Sequence, residues 1–206
     1  MEDTARYVKI NDIEGSELLR IWDEFKAKHA GFECNLCFHN MEPPYDALEK
    51  IGATLLEDCI GMGLTPENFK PFRQVEVALL DKKDFAAFAK LHDQLPDMYW
   101  TSSRIWDRFD DMWRIPVYKE QSELAGYALM NISMHKRNEG EIFAIQAPTP
   151  QARKALLTAA VEEAFKAEKD HILHMVERGN DIEYEESEAI GFIEVSYYRG
   201  FEIKEL

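Results

Sequence analysis

Residues 188–203 read EAIGFIEVSYYRGFEI, and this stretch decides the fold class. A glycine directly after a short helical run ends the helix, and the long segment that follows Gly191 is typical of a strand. Residues 49–59, EKIGATLLEDC, show the same order of helix end, glycine and strand. The chain therefore carries the same kind of ending twice.

The similarity extends upstream of both endings. Residues 18–40 align with residues 156–180 after a two-residue adjustment, with Phe-Lys-Ala at 25–27 matching Phe-Lys-Ala at 165–167. Asn40 matches Asn180 in the same alignment. Both regions read as strand, helix, strand, short helix and strand, which indicates a duplicated unit.

The rest of the chain extends the second copy. Two prolines and little periodicity mark residues 65–72 as a linker. After it we expect a strand at 74–80, a helix capped by Asp81, a second helix over 101–113 and a three-strand meander. The predicted domains are 1–64, a partial copy, and 73–206, a complete one.

Composition limits the partners. The 206 residues carry a formal net charge of −15, which argues against nucleic acid and anionic membranes as main partners. A cationic ligand would suit this surface, although the acidity can also serve solubility alone. No apolar run reaches the ~18 residues of a membrane helix, and the first residues do not resemble a signal peptide. Three cysteines then predict reduced thiols in a cytoplasmic protein.

The cysteines also raise the question of zinc. Cys34, Cys37, His39 and Cys59 could supply four ligands. However, Cys34 and Cys37 fall in a predicted strand, where positions three apart face opposite sides. We therefore expect buried, unreactive thiols and no metal site.

The order of elements, together with the ending EAIGFIEVSYYRGFEI, resembles the GCN5-related N-acetyltransferase (GNAT) superfamily. Residues 73–206 cover the whole family order, and residues 5–64 resemble only its second half. The resemblance implies an α/β fold, a GNAT-like mixed central sheet flanked by helices, with an N-terminal half-domain of the same type. It implies acyl transfer from acetyl-CoA, used as a cosubstrate, to an amine.

In this family the pyrophosphate lies on the turn between the fourth strand and the long helix, and the pantetheine arm follows the edge of the fourth strand. The resemblance therefore assigns one set of residues to acetyl-CoA binding: Ile145, Gln146, Ala147, Gln151, Ala152, Arg153, Lys154 and Asn180. Backbone N–H groups at a helix start are suited to hold such an anion.

The turn departs from the family pattern. The family's Arg-Gly-x-Gly-x-Gly motif falls on residues 148–153, PTPQAR, where its arginine and glycines are all replaced. Thr149 is a good N-cap and Pro150 occupies its favoured first helical position, so the turn can be only a capped helix start. Alternatively, Arg153 and Lys154 replace part of the lost binding with side-chain charge. The matching turn at residues 10–15 offers no phosphate pattern, so we expect no coenzyme A there.

The family's proton-donating tyrosine falls on Ser187, with Tyr184 one turn earlier on the same short helix. Tyr184 could reach the site or could simply pack. For the base, Glu141 begins the fourth strand, and the further candidates are Glu120, Glu123 and His135. We take Glu141, Tyr184 and Ser187 as the catalytic candidates. Two further groups have a structural explanation besides a functional one. The aromatic residues can line an acceptor pocket or form core; they are Tyr99, Trp100, Trp106, Phe109 and Trp113. The charge run 183–188 is expected to be solvated.

Two functions follow from this pattern. The first is an N-acyltransferase acting on a small amine or a protein N-terminus. The second is a degenerate, catalytically inactive GNAT-like module for binding or assembly, which the missing glycines and tyrosine favour. Strand 5–10 would keep an unpaired edge in a half-domain, so we expect the second domain's sheet or a partner chain, as in a homodimer, to cover it.

Overall fold

The computed structural model describes residues 7–95, 99–133 and 138–206. Its strands are β1 (Tyr7–Asn11), β2 (Glu33–His39), β3 (Thr54–Leu64), β4 (Ala78–Leu79), β5 (Trp113–Arg114), β6 (Pro116–Glu120), β7 (Glu123–Asn131), β8 (Glu139–Gln146), β9 (His171–Glu177) and β10 (Ile193–Ile203). Its α-helices are α1 (Gly15–Lys28), α2 (Tyr45–Ile51), α3 (Phe85–His92), α4 (Ser102–Trp106), α5 (Phe109–Met112), α6 (Pro150–Lys166) and α7 (Asp181–Ile190). Parallel and antiparallel pairs both occur, so the predicted mixed α/β class is confirmed.

The chain packs as two compact units. Unit 1 takes Met1–Gly61, described from residue 7 on, with Glu177–Gly179 and Val195–Leu206. Unit 2 takes Met62–Val176 and Asn180–Glu194. The end of the chain thus packs with its beginning, a grouping different from the predicted domains 1–64 and 73–206. Those boundaries stay a prediction.

In unit 1 the strand order is β1-β2-β10-β3. β10 runs antiparallel to β2, so Phe201 lies beside Leu36 and Arg199 beside Phe38. One face of these strands packs against α1 and α2, and the buried cluster comprises Leu18, Trp22, Cys34, Leu36, Phe38, Ala47, Leu48 and Phe201. The last strand of the chain therefore completes the core of unit 1.

The predicted cover for the first strand is only partly tested. β1 pairs in parallel with β2, and it ends the strand order. Within the described chain no strand pairs with its other edge, so the expectation that the second domain's sheet covers it is wrong. Cover by a partner chain stays a prediction.

In unit 2 the order is β9-β8-β7-β6-β4, and β5 also pairs with β7. The helices α3 to α5 enclose a core comprising Leu80, Phe88, Ile105, Trp113, Ile115, Val117, Tyr127 and Leu129. His92 is fully buried in this region, with Nδ1 2.6 Å from the Tyr127 hydroxyl and Nε2 2.6 Å from the Trp100 carbonyl. Because Nε2–H must donate to that carbonyl, the Tyr127 hydroxyl donates to Nδ1.

Two predicted elements differ in the structure. The strand expected at 74–80 shrinks to Ala78–Leu79, which lies opposite Val117 and Pro116 of β6. The helix expected over 101–113 is broken into α4 and α5 at residues 107–108. The Asp81 cap is confirmed, since its side chain accepts a hydrogen bond from Lys83 N.

Candidate functional site

An opening between two parallel strands organises the candidate site in unit 2. β8 and β9 pair from Glu139–His171 to Ile142–His174, and the ladder stops there. β8 continues to Gln146 while paired with β7, and Phe143 forms a bulge in that second ladder. A bulge bends its strand, so the stretch 143–146 leaves β9 and keeps one backbone edge unpaired. This edge includes the predicted binding residues Ile145 and Gln146, and Gln146 Oε1 is buried without a hydrogen-bond partner among the described residues.

The turn that follows β8 has few free donors. The Thr149 hydroxyl accepts from Ala152 N at 3.2 Å, and the Thr149 carbonyl accepts from Arg153 N at 3.0 Å. Pro150 has no N–H. Among the described residues this leaves Gln151 N–H as the one first-turn donor without a hydrogen bond. The helix start is well capped, which limits what it can offer an anion.

The two cations of this turn face carboxylates and an aromatic ring. Arg153 Nε lies 2.9 Å from Glu186 Oε2, and Arg153 Nη1 lies 3.7 Å from Glu183 Oε1. Lys154 Nζ stands 4.8 Å from the centre of the Phe72 ring. Burial raises the pKa of Glu186, and this effect outweighs the positive charges of Arg153 and Lys154, which act to lower it. Arg153 is therefore already neutralised.

The predicted acid position holds an unexpected partner. Ser187 is fully buried, and its Oγ lies 3.3 Å from Nδ1 of His174, which is 3% exposed. His174 Nε2 lies 3.3 Å from Glu183 Oε1. Asn180, predicted to bind the cosubstrate, caps α7 by accepting from Glu183 N and donating to Glu183 Oε2. Ser187, Asn180 and Arg153 thus meet around Glu183.

The expectation that the run 183–188 is solvated holds for Glu185 and Glu188 and is wrong for Glu186 and Ser187. Glu186 and Ser187 are buried, because residues 183, 186 and 187 share one face of α7, which looks toward Arg153 and His174. Sequence reasoning missed His174, Glu183 and Glu186. The spacing of the three α7 residues was the available signal, but His174 comes from a different strand and no local pattern marks it.

Glu141 lies on β8, one position before the last residue that pairs with β9. It stands opposite Asn131 on β7 and opposite Leu173 on β9, while Trp113 also stands opposite Asn131. These side chains form one row on one face of the strands. Burial, and then the charge of Glu139, raise the pKa of Glu141. A carboxylate with a raised pKa is suited to accept a proton.

The aromatic residues divide between the two alternatives. Trp113 is buried core, and its ring lies 5.1 Å from that of Trp100 and 5.7 Å from that of Phe143. Its Nε1 has no hydrogen-bond partner in the described chain. Tyr99 and Trp106 are exposed. Among these aromatic residues, only Trp113 fully matches the alternative that they form core.

The remaining acid and base candidates lie in other surroundings. A hydrogen bond to Glu194, with burial and nearby carboxylates, raises the pKa of Tyr184 to about 12, so this phenol holds its proton tightly. Glu120 and Glu123 are exposed at the β6–β7 turn. His135 lies outside the described residues.

The described part of unit 1 lacks the opening seen in unit 2. Its β1–β2 ladder runs to Asn11–Cys37, and Asp12 N then donates to the Cys37 carbonyl at 2.8 Å. The Asp12 carboxylate accepts from His39 N at 2.7 Å and also contacts the His39 ring. The two strands are therefore held together at the point where β8 and β9 separate.

Cys34 and Cys37 are buried, as predicted, and burial raises the pKa of the Cys34 thiol to about 11. Within the described ranges, no three His, Cys, Asp or Glu side chains gather closely enough to hold a metal ion. None of the helices in this part of the chain combines the length and apolar character needed to cross a bilayer.

Known structures share this fold. No family model and no curated protein matches the chain. A functionally unknown conserved protein from Staphylococcus epidermidis superposes with a TM-score of 0.67 at 9% identity, covering 97% of this chain and 84% of the other. An acetyltransferase from the GNAT family of Colwellia psychrerythraea gives 0.65 at 14% identity, with coverages of 91% and 72%. A tandem GNAT protein from the clavulanic acid biosynthesis pathway gives 0.65 at 13% identity, with coverages of 98% and 76%. The chain has a GNAT-like fold.

Proposed function

We propose that the chain is an N-acyltransferase that moves an acetyl group from acetyl-CoA to an amine, either a small molecule or a protein N-terminus. The observation that carries this proposal is the end of the β8–β9 ladder at Ile142–His174. An unpaired strand edge offers N–H and C=O groups to an extended, amide-containing chain, and the pantetheine arm of an acyl thioester is such a chain. The similarity to GNAT structures supports the same choice.

The two ends of acetyl-CoA fit this site unequally. The edge at 143–146 suits the pantetheine arm. The diphosphate would meet one free first-turn N–H, on Gln151, and an arginine already paired with Glu183 and Glu186. We therefore infer that most of the binding free energy comes from the pantetheine and acetyl part, with Lys154 as the remaining cation of the turn.

Glu141 is the base in this proposal. It stands beside the last paired rung, and its raised pKa favours accepting the proton that the amine releases on attack. Ser187, at the family's acid position, is fully buried beside His174. Tyr184 is the less suitable acid, because a phenol with a pKa near 12 gives up its proton poorly.

We also propose that residues 5–64 are a partial copy of the same unit without catalytic function. The closed β1–β2 ladder and the Asp12–His39 contacts support this assignment, because they leave no gap between these two strands for an acyl chain.

A second function is favoured by a specific observation. The well-capped α6 start and the paired Arg153 are what a binding or assembly module would retain after losing its cosubstrate. This alternative predicts no acetyl transfer.

Calorimetric titration and a turnover assay separate the two functions. The protein is titrated with acetyl-CoA and with acetyl-pantetheine, and acetyl transfer to a panel of amines is followed by release of the free thiol. We expect both ligands to bind, and we expect Glu141→Gln to abolish turnover while keeping affinity. Glu120→Gln, the same change at an exposed position, is the matched control and should change neither. Absence of binding at millimolar acetyl-CoA would leave the binding module as the function.

A further inference from the structure

One face of the sheet in unit 2 carries a row of directly paired residues that includes two polar side chains. The row crosses β5, β7, β8 and β9 through Trp113, Asn131, Glu141 and Leu173. Trp113 belongs to the core that α3 to α5 enclose, so the row lies on the face toward these helices. Asn131 and Glu141 are therefore neighbours on this face, one rung before the ladder between β8 and β9 stops.

The side-chain amide of Asn131 has a fixed orientation. Asn131 is 3% exposed, and its side-chain oxygen accepts a hydrogen bond from Ser133 N at 2.7 Å. Because a backbone N–H can only donate, the atom that it meets must be Oδ1, and Nδ2 points the other way. In the described ranges Nδ2 donates to no other residue. A buried amide thus keeps two unused donors, which calls for a partner from outside the chain.

Glu141 faces these donors from the neighbouring rung. No hydrogen bond or ion pair joins its carboxylate to any residue that the structure describes, Asn131 included. Burial, and then the charge of Glu139, raise the pKa of Glu141, so its negative charge is held without a compensating cation among these residues. The row therefore offers donors at Asn131 and an acceptor at Glu141, side by side and both unused.

A ligand that satisfies both residues needs two complementary groups. An amine N–H donates to the Glu141 carboxylate, and a carbonyl oxygen accepts from Asn131 Nδ2. Directly opposite Cβ atoms lie about 4.5–5.5 Å apart, so the amine and the carbonyl must also lie close together in the ligand. An amine and an amide carbonyl on the same carbon have this spacing, and the first residue of a polypeptide is one such group.

Two other classes of amine fit the row less well. A free amino acid brings a carboxylate next to Glu141, and none of the four residues of the row is a cation that could offset it. A polyamine brings a second ammonium group to Asn131 Nδ2, where donor would meet donor. The rings of Trp113 and Phe143, 5.7 Å apart, give this face an apolar wall, which favours a neutral carbonyl over a second charge.

We propose that the acceptor is an α-amino amide and that Asn131 selects it, by donating from Nδ2 to the carbonyl oxygen while Glu141 holds the amine. This inference rests on the proposed function for the transfer step and narrows its acceptor. Asn131 is a specificity-determining residue in this scheme and exchanges no proton with the ligand.

An NMR titration of the full-length protein tests the selection without any acetyl transfer. The Nδ2 resonances of Asn131, identified by their loss in Asn131→Leu, are followed as alaninamide, ethylamine or alanine is added. These ligands share an amine and differ in whether a carboxamide, a hydrogen or a carboxylate stands beside it. We expect alaninamide to shift the Asn131 resonances and to bind about tenfold more tightly than ethylamine, with alanine the weakest. Equal affinity for alaninamide and ethylamine, or resonances that alaninamide does not move, would overturn the inference.

Two variants of Asn131 sharpen the test. Asn131→Leu keeps the approximate shape and removes the donors, and the exposed Ser133 can turn its N–H to water. It should bind alaninamide and ethylamine equally. Asn131→Asp keeps an acceptor for Ser133 N and adds a carboxylate, so it should prefer ethylamine. Asn138→Leu, the same change at an exposed position, is the matched control and should keep the preference for alaninamide. Melting temperatures establish folding, and a preference for alaninamide that survives in either folded variant of Asn131 refutes the selection.

Two further measurements separate the source of the ligand from the reaction. A tri-alanine amide is compared with alaninamide, and both contain the proposed group. Tighter binding of the tripeptide supports a polypeptide N-terminus as the source, and tighter binding of alaninamide supports a small molecule. Acetyl transfer from acetyl-CoA is then assayed with alaninamide and ethylamine. Alaninamide that is selected through Asn131 but never acetylated refutes the proposed function alone, whereas acetylation of both amines with equal KM refutes the selection alone.

Discussion

The α6 start provides the sharpest prediction, because two substitutions should turn it into a better anion site. Thr149→Gly removes the hydroxyl that occupies Ala152 N–H, and Pro150→Gly adds an N–H where there is none. The first turn would then present three free donors, on residues 150, 151 and 152, in place of the one on Gln151.

The size of the effect follows from the donors gained. A hydrogen bond to a charged group contributes about 1.5–3 kcal/mol, and ~1.4 kcal/mol is tenfold in affinity. Two additional donors should therefore tighten acetyl-CoA binding by about 100-fold or more. The cost in stability is small: roughly a few tenths of a kcal/mol for glycine in place of a threonine N-cap, and about 1 kcal/mol for the lost proline.

Calorimetric titration at fixed ionic strength measures the gain, with acetyl-pantetheine as the second ligand. Because acetyl-pantetheine has no diphosphate, its affinity should not change in the double variant. Asp81→Gly removes a side-chain cap elsewhere in unit 2 and is the matched control, expected to leave both affinities as they are. Unchanged acetyl-CoA affinity in a folded double variant, or an equal gain for both ligands, would show that the diphosphate does not lie on this turn.

Three further predictions concern stability. Tyr127→Phe should lower the free energy of unfolding in urea by about 1–3 kcal/mol, because it leaves Nδ1 of the buried His92 without a donor; a loss below the error of the measurement would contradict the buried pair. Glu141→Gln should be more stable than wild type at pH 8 and equal to it near pH 4. The folded pKa of Glu141 is raised, so the native state binds its proton more tightly and wild-type stability falls as pH rises through that raised value. Melting curves across pH check this, and a gap that widens toward low pH would refute it. Phe201 is buried near the end of the chain, and Phe201→Ala should lower the free energy of unfolding by about 3–5 kcal/mol. The same change should speed amide hydrogen exchange in α1. Exchange in α1 as slow as in wild type would show that β10 does not complete that core.

Local signals predicted most elements correctly, because the residues that fix them are neighbours in the chain. Thr149 and Asp81 cap the elements that follow them, and the left-handed Gly191 ends α7. The short β4 was not predictable from residues 74–80 alone, since only Ala78 and Leu79 pair with β6, a strand from a distant part of the chain. Apolar alternation shows that a segment can form a strand, but the partner strand determines how many of its residues pair.

The candidate site shows the same limit at the level of chemistry. Alignment placed Ser187 at the acid position, and the structure buries it beside a histidine. That histidine, His174, comes from β9, and no sequence spacing encodes its contacts with Ser187 and Glu183. Arg153 was predicted to face a phosphate because its charge is visible in the sequence. The carboxylates that neutralise it lie about thirty residues away, at Glu183 and Glu186.

The grouping of the units has a physical reason that the order of elements hides. Without β10, the side chains of Leu36 and Phe38 would lie at the edge of an incomplete core. β10 lies between β2 and β3, and it brings Phe201 against Phe38 at a ring distance of 5.9 Å. The last strand of the chain thus contributes Phe201 to a core whose other buried residues lie between residues 18 and 48. The core of unit 1 is complete because one of its strands is supplied from the other end of the chain.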